Sequence, residues 1–193
     1  MYPNVAVIIL NWNGWVDTLE CLESLYQISY PNYNIIIVDN DSKDNSIQKI
    51  KKYCNGEIKV ESKFFQYQTK NKPIKTIEYT EKEVETNSNQ SNSVKGKNQS
   101  LSSNSLIIIK ADKNHGFAGG NNIGINYTIH NLKMDYILLL NNDTVVDPDF
   151  LKELVNTAES SDDIGFVGAK TYFYNKENTI QVAGGANVSF KYI

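Results

Sequence analysis

Cysteine is scarce in this chain, with only Cys21 and Cys54 among 193 residues. Two thiols with no metal-ligand spacing exclude a disulfide scaffold or a zinc ribbon and read as buried side chains. No apolar run approaches the roughly 20 residues that a membrane-spanning helix requires. The N-terminus also lacks the basic region, apolar core and cleavage site of a secretory signal, so the chain reads as cytoplasmic. A positive surplus is missing too: 19 Lys and Arg against 22 Asp and Glu leave a net charge of −3. That balance gives no broad basic surface and disfavours nucleic acid as the main partner. Phosphate-loop spacing is absent, and the first apolar run leads into Asn11-Trp12-Asn13-Gly14 rather than a dinucleotide fingerprint. Nor does a basic, glycine-rich loop follow that run, which counts against a sugar nucleotidyltransferase.

What is present is a repeated pattern of apolar strands that stop at polar clusters. Val5 to Leu10 reads as a buried first strand, followed by a helix from about Trp15 to Gln27 with Val16, Leu19, Leu22, Leu25 and Tyr26 inward and an Asp17/Glu20 capping box. Ile35 to Val38 forms a second strand that runs into Asp39-Asn40-Asp41, and a short helix follows with Ser42 or Asp44 as its cap. Leu106 to Ile109 gives a third strand, and Asn114 to Gly124 leads into a helix marked by Ile125, Ile129 and Leu132. Tyr136 to Leu140 is an unbroken apolar run, the signature of a strand buried on both faces, and it ends at Asn141-Asn142-Asp143. A further helix has Asp147 as cap and Pro148 at its first position. The tail suggests strands at Phe166 to Gly168, Tyr172 to Tyr174 and Ile180 to Ala183.

Alternating strands and helices predict an α/β fold with a mostly parallel sheet and helices on both faces. The exception is a polar stretch, about 61–105, expected to be a mobile surface insertion in a single domain spanning 1–193. Ile74 to Tyr79 alternates weakly within it and suggests an edge strand.

Ligands of open α/β sheets bind beyond the carboxyl ends of the strands. Asp39 suits the N3–H of a uracil or thymine ring, which needs an acceptor there; its plainer role is to cap a turn. Asp143 with Asn141 suits a hard divalent cation, Mg²⁺ or Mn²⁺, which takes oxygen ligands and often one or two carboxylates plus substrate phosphates. The Gly116 to Gly124 segment can bring backbone N–H groups to an anion or sugar, or else let a helix pack closely on the sheet. His115 reads as a loop residue, and Trp12, at a strand end, either packs or borders the site.

Together these blocks resemble the family 2 glycosyltransferases of GT-A fold, in particular the branch that includes rhamnosyltransferases. The resemblance rests on Val-Ala-Val-Ile-Ile-Leu-Asn-Trp-Asn-Gly, Ile-Val-Asp-Asn-Asp-Ser-Lys-Asp-Asn-Ser, Asn-His-Gly-Phe-Ala-Gly-Gly-Asn-Asn-Ile-Gly and Leu-Leu-Asn-Asn-Asp-Thr-Val-Val-Asp-Pro-Asp-Phe. It implies inverting transfer from a UDP- or dTDP-sugar to a saccharide or lipid-linked acceptor in cell-surface polysaccharide synthesis. A lipid-linked acceptor would bring the intact protein to the inner face of the membrane. The resemblance further implies a donor site of Asn11, Trp12, Asn13, Asp39, Asn40, Asp41, Asn114, Gly116, Phe117, Gly119, Gly120, Asn121 and Asn142. Asp143 matches the last metal-binding residue of the family's Asp-x-Asp motif, with Asn141 in place of its first carboxylate. The general base is expected beyond Ile193. Without it, a non-catalytic sugar-nucleotide-binding module is the alternative.

Overall fold

The computed structural model describes residues 2–89, 105–176 and 178–183. Five parallel strands form the main sheet: β1 (Val5–Asn11), β2 (Tyr33–Asp39), β3 (Lys75–Thr80), β4 (Ser105–Lys110) and β5 (Tyr136–Asn141), in the order β3-β4-β2-β1-β5. Helices α1 (Trp15–Leu25), α2 (Ser46–Cys54) and α5 (Phe150–Ala158) contribute to one apolar layer. Helices α3 (Glu81–Asn89) and α4 (Gly116–Asn131) cover the other. The expected mostly parallel α/β sheet is therefore observed. A separate antiparallel pair, β6 (Lys170–Tyr172) and β7 (Ile180–Ala183), follows α5. Phe166 to Gly168 is not a strand, and Phe166 is fully exposed.

The apolar runs of β1, β2 and β4 are buried on both faces, as interior parallel strands must be. β5 corrects the reading of its sequence. It lies at the sheet edge, where Tyr136, Leu138 and Leu140 pack on the α1 layer while Ile137 and Leu139 stay exposed on the other face. Position in the sheet, which composition does not encode, decides this.

Helix details differ as well. α1 starts at Trp15 with Gly14 as its cap and no side-chain capping bond, so the Asp17/Glu20 box does not form, and Val16 points to solvent. The cap residue of α2 is Asn45, in the left-handed region and without a side-chain capping bond; Asp44 accepts the backbone N–H of Ser46, and Ser42 is used elsewhere. α5 begins two residues later than expected, because Asp147-Pro148 forms the preceding turn and Asp149 takes the cap position. α4 buries Gly120, Asn121, Gly124, Tyr127 and Thr128, while Ile129 is exposed. Its contact with the sheet is so close that a Cβ at Gly120 would stand 2.4 Å from Leu10 Cδ1, and one at Gly124 2.7 Å from Ile8 Cγ2.

The polar stretch after α2 is largely built into the body. β3 pairs along its whole length with β4, as the weak alternation suggested, and Val84 of α3 is buried. Residues 90–104 lie outside the described residues. Upstream, Lys72 is buried against Glu23 (Nζ to Oε2 3.1 Å), which also accepts the Tyr53 hydroxyl (2.7 Å) and the Gln68 N–H (2.8 Å). The rings of Tyr26, Tyr53 and Tyr67 surround the ammonium. A paired and hydrogen-bonded charge is tolerable in such a place, whereas removing one partner would leave the other stranded. This cluster fastens the segment before β3 to α1 and α2. Cys21 and Cys54 are free, buried thiols, as their scarcity suggested.

Candidate functional site

Parallel pairing aligns the strand ends at one edge of the sheet. Asn11 is the register partner of Asp39, Asp39 of Lys110, and Leu10 of Asn141. Polar residues separated by up to 130 positions in sequence thus meet along one rim.

At its centre lies a buried network. Asn11 is fully buried; its Nδ2 donates to Asp39 Oδ1 (2.8 Å) and Ser42 Oγ (3.1 Å), and its Oδ1 accepts the Thr18 hydroxyl (2.8 Å). Asp39 is 1% exposed and takes a second bond from the Ser42 N–H to Oδ2 (3.1 Å). Each carboxylate oxygen accepts one bond here and carries two lone pairs, so Asp39 retains capacity for a further donor. Asn11 is therefore a residue that orients Asp39 rather than one that faces solvent. Asn13 adopts the left-handed conformation (φ 50°), takes the Lys43 N–H on Oδ1 (2.7 Å) and donates its own N–H to Ser42 Oγ (2.9 Å). These bonds cross-link the loops after β1 and β2. Asp41 is also left-handed (φ 62°) and pairs with Lys43. Trp12 is exposed beside them.

The β4–α4 loop is held to the same centre. Asn40 Nδ2 donates to Asn114 Oδ1 (2.9 Å) and Gly116 O (3.2 Å), and Asn40 Oδ1 accepts the His115 N–H (2.9 Å). Gly116 has φ +70° and open space where a Cβ would stand, and Phe117 is exposed. Gly119 and Gly120 pack closely: a Cβ at Gly119 would meet His115 Cβ at 2.8 Å, and Gly120 lies on Leu10 and Asn40. Asn121 is buried and bonds to Phe117 O within the helix.

The β5 end is more open. Asn142 Nδ2 donates to Thr18 Oγ1 (3.1 Å) and Gly14 O (3.3 Å), which docks the turn on α1. Gly14 permits this, since a Cβ there would stand 2.8 Å from Asn142 Nδ2. The backbone carbonyl of Asn141 accepts the Thr144 hydroxyl (2.7 Å), with Cys21 Sγ 3.8 Å away. Burial pushes the Cys21 thiol up to about 12, despite its hydrogen bond with Thr144, and the nearby Asp143 and Glu20 charges act in the same direction as burial. Asn141 and Asp143 are exposed. Asp143 makes no hydrogen bond or ion pair among the described residues, and no group of three or more His, Cys, Asp or Glu side chains among them is placed to hold a metal. A lone, unengaged carboxylate fits a cation whose other ligands come from a bound diphosphate.

Ser42, Thr18 and Gly14 were not read as site residues. Ser42 had a detectable signal, since a Ser three residues after an Asp at a strand end suits a turn in which the carboxylate takes its N–H. Thr18 had none.

Comparison with known proteins bears on this arrangement. A solved mannosyltransferase from Pyrobaculum calidifontis, in complex with GDP-Man and Mn²⁺, superposes with a TM-score of 0.55 over 86% of this chain and 34% of its own, at 14% identity. TarS from S. aureus gives a TM-score of 0.49 over 81% of this chain and 19% of its own, at 16% identity. In sequence, the low-salt glycan biosynthesis hexosyltransferase Agl10 of Haloferax volcanii is 33% identical over 63 residues, 33% of this chain and 20% of that protein. The chain thus spans about a third or less of the length of these relatives. The model of glycosyl transferase family 2 matches residues 6–72 and 88–191, and with most of its length so accounted for, the chain belongs to that family.

Proposed function

We propose that this chain, as a single domain over 1–193, is the donor-binding part of a rhamnosyltransferase-like enzyme. The intact protein transfers a sugar, with inversion, from a UDP- or dTDP-sugar to a saccharide or lipid-linked acceptor during cell-surface polysaccharide synthesis. The observation that carries this reading is the buried Asp39 carboxylate, held by Asn11 and Ser42 on the same rim as the unengaged Asp143. Asp39 accepts the N3–H of the base, a contact that turns away cytosine. Asn40, Asp41, Asn114, Gly116 and Phe117, together with Trp12 and Asn13, border the ribose and diphosphate. The amide-for-carboxylate pattern of Asn141-Asn142-Asp143 supports the rhamnosyltransferase-like branch.

Asp143, helped by Asn141, would hold Mg²⁺ or Mn²⁺; GDP-Man and Mn²⁺ in the mannosyltransferase of this fold support such a pairing of donor and ion. That ion, when bound, neutralises charge on the departing diphosphate. In the transfer, the acceptor oxygen attacks the anomeric carbon from the face opposite the diphosphate, a base outside the described residues takes its proton, and the C–O bond to the diphosphate breaks. Among the described residues no helix is long and apolar enough to cross a membrane. The intact protein then works in the cytoplasm, at the inner membrane face where a lipid-linked acceptor is met.

Calorimetry with UDP, dTDP and GDP, each with and without Mn²⁺, tests the site. UDP or dTDP should bind in an Mn²⁺-dependent manner. Asp39→Asn should weaken binding about tenfold, equivalent to one charge-assisted hydrogen bond of about 1.4 kcal/mol. Absence of binding by the wild-type chain, or binding indifferent to both Asp39→Asn and Asp143→Ala, would sink the assignment. Binding without turnover in the intact protein would favour a non-catalytic sugar-nucleotide module.

A further inference from the structure

Glu81 opens α3, inside the polar stretch whose composition points to no ligand. Its buried carboxylate accepts the Asp112 N–H (2.8 Å), and His115 Nε2 lies 2.9 Å from both of its oxygens. His115 is the cap residue of α4, its N–H is held by Asn40, and its Cβ lies against Gly119. The loop from Ala111 to His115 is thereby gripped from two sides, by Asn40 at the end of β2 and by Glu81 at the start of α3. Asn40 follows Asp39 directly and holds Asn114 and Gly116 as well, so displacement of His115 is transmitted to the residues facing the rim.

We propose that Glu81 and His115 are positioning residues for the nucleoside-diphosphate donor, setting where the turn at Asn114 to Phe117 stands relative to Asp39. The proposal rests on the donor-site reading above. It makes the β3–α3 segment part of the binding apparatus, although it supplies no contact to the donor. A link that only stabilised the fold would lower the melting temperature of a variant without changing the affinity of its folded molecules.

The test is calorimetry of UDP with Mn²⁺ on the wild-type chain, Glu81→Ala, Glu81→Gln and His115→Gln, run well below each melting temperature, beside amide NMR spectra of the nucleotide-free proteins. Glu81→Ala should lose about fivefold to tenfold in affinity, as for one lost hydrogen bond, and should shift the Asn114 and Gly116 amide resonances. Glu81→Gln should recover most of that affinity, because its carbonyl accepts the Asp112 N–H while its amide donates to the Nε2 of a neutral imidazole. If Glu81→Ala does not fold, His115→Gln, which leaves Glu81 its Asp112 partner, is expected to lose twofold to fivefold in affinity, roughly the share of a partly replaced hydrogen bond. Wild-type affinity in Glu81→Ala or, failing that variant, in His115→Gln overturns the positioning role while leaving the donor site intact. A wild-type chain that binds no nucleotide overturns both.

Discussion

The two sides of the strand-end rim are built differently. Around β1, β2 and the β4–α4 loop, Asn11, Asp39, Asn40, Ser42 and Thr18 are buried or half-buried, and protein hydrogen bonds already fix them. At β5 the Asn142 side chain is tied to α1, while Asn141 and Asp143 are exposed and one face of the strand is open. A polar group fixed before the ligand arrives costs less to order on binding, which suits recognition of a base. A carboxylate that serves a hydrated cation and a phosphate gains from remaining free. Rigidity therefore belongs to the proposed nucleoside side, and openness to the proposed metal side.

The largest effect should come from breaking the rigid side. Asn11→Ala removes the donor to Asp39 and the acceptor of Thr18, and should cost about 2–3 kcal/mol of stability as buried groups lose their partners; urea unfolding would measure it. Gly120→Ala should cost roughly 1–3 kcal/mol by overpacking against Leu10 and, through Asn40, should weaken nucleotide binding as well. Unfolding and calorimetry on the same variant separate the two effects.

Alkaline pH gives a smaller and more gradual change. Burial pushes Cys21 and Cys54 each up to about 12, although Lys72 lowers Cys54 somewhat. The unfolded chain releases these protons first, near pH 8.5 to 9, so it binds fewer protons than the native state and stability must fall as pH rises from there toward 12. Urea midpoints from pH 8 to 10.5 should decline, and Cys21→Ala should flatten the decline. A flat wild-type profile would contradict the burial of these thiols.

On the open side, Asp143→Asn and Leu139→Thr should change stability by no more than about 0.5 kcal/mol, as exposed substitutions do. Asp143→Asn should still abolish the enhancement of nucleotide binding by Mn²⁺. A large loss of stability in either variant would erase the contrast between the two sides.

Most of the sheet was legible because interior parallel strands must be apolar on both faces, and Val5 to Ile9, Ile35 to Val38 and Leu106 to Ile109 carry that pattern. β5 carries it too and was misread, because an edge strand has the same local chemistry as an interior one until its neighbours are known. Within the polar composition of 61–105, β3 showed only as a weak alternation, because its stability comes from pairing with β4, and α3, which is anchored by Val84 and Glu81, was hidden. The glycines of α4 offered two roles, and only the distances to Leu10, Ile8 and His115 reveal the close packing at Gly119, Gly120 and Gly124.

By itself, then, the sequence determined that polar residues end each strand and that Asp39 and Asp143 are the carboxylates placed there, since apolar runs and their punctuation are local properties. Tertiary structure alone decided that these ends share one rim, that Asn11 serves Asp39 and that Glu81 reaches His115. Those relations depend on parallel register and on bonds between side chains up to 34 positions apart, a distance across which side-chain periodicity carries no information.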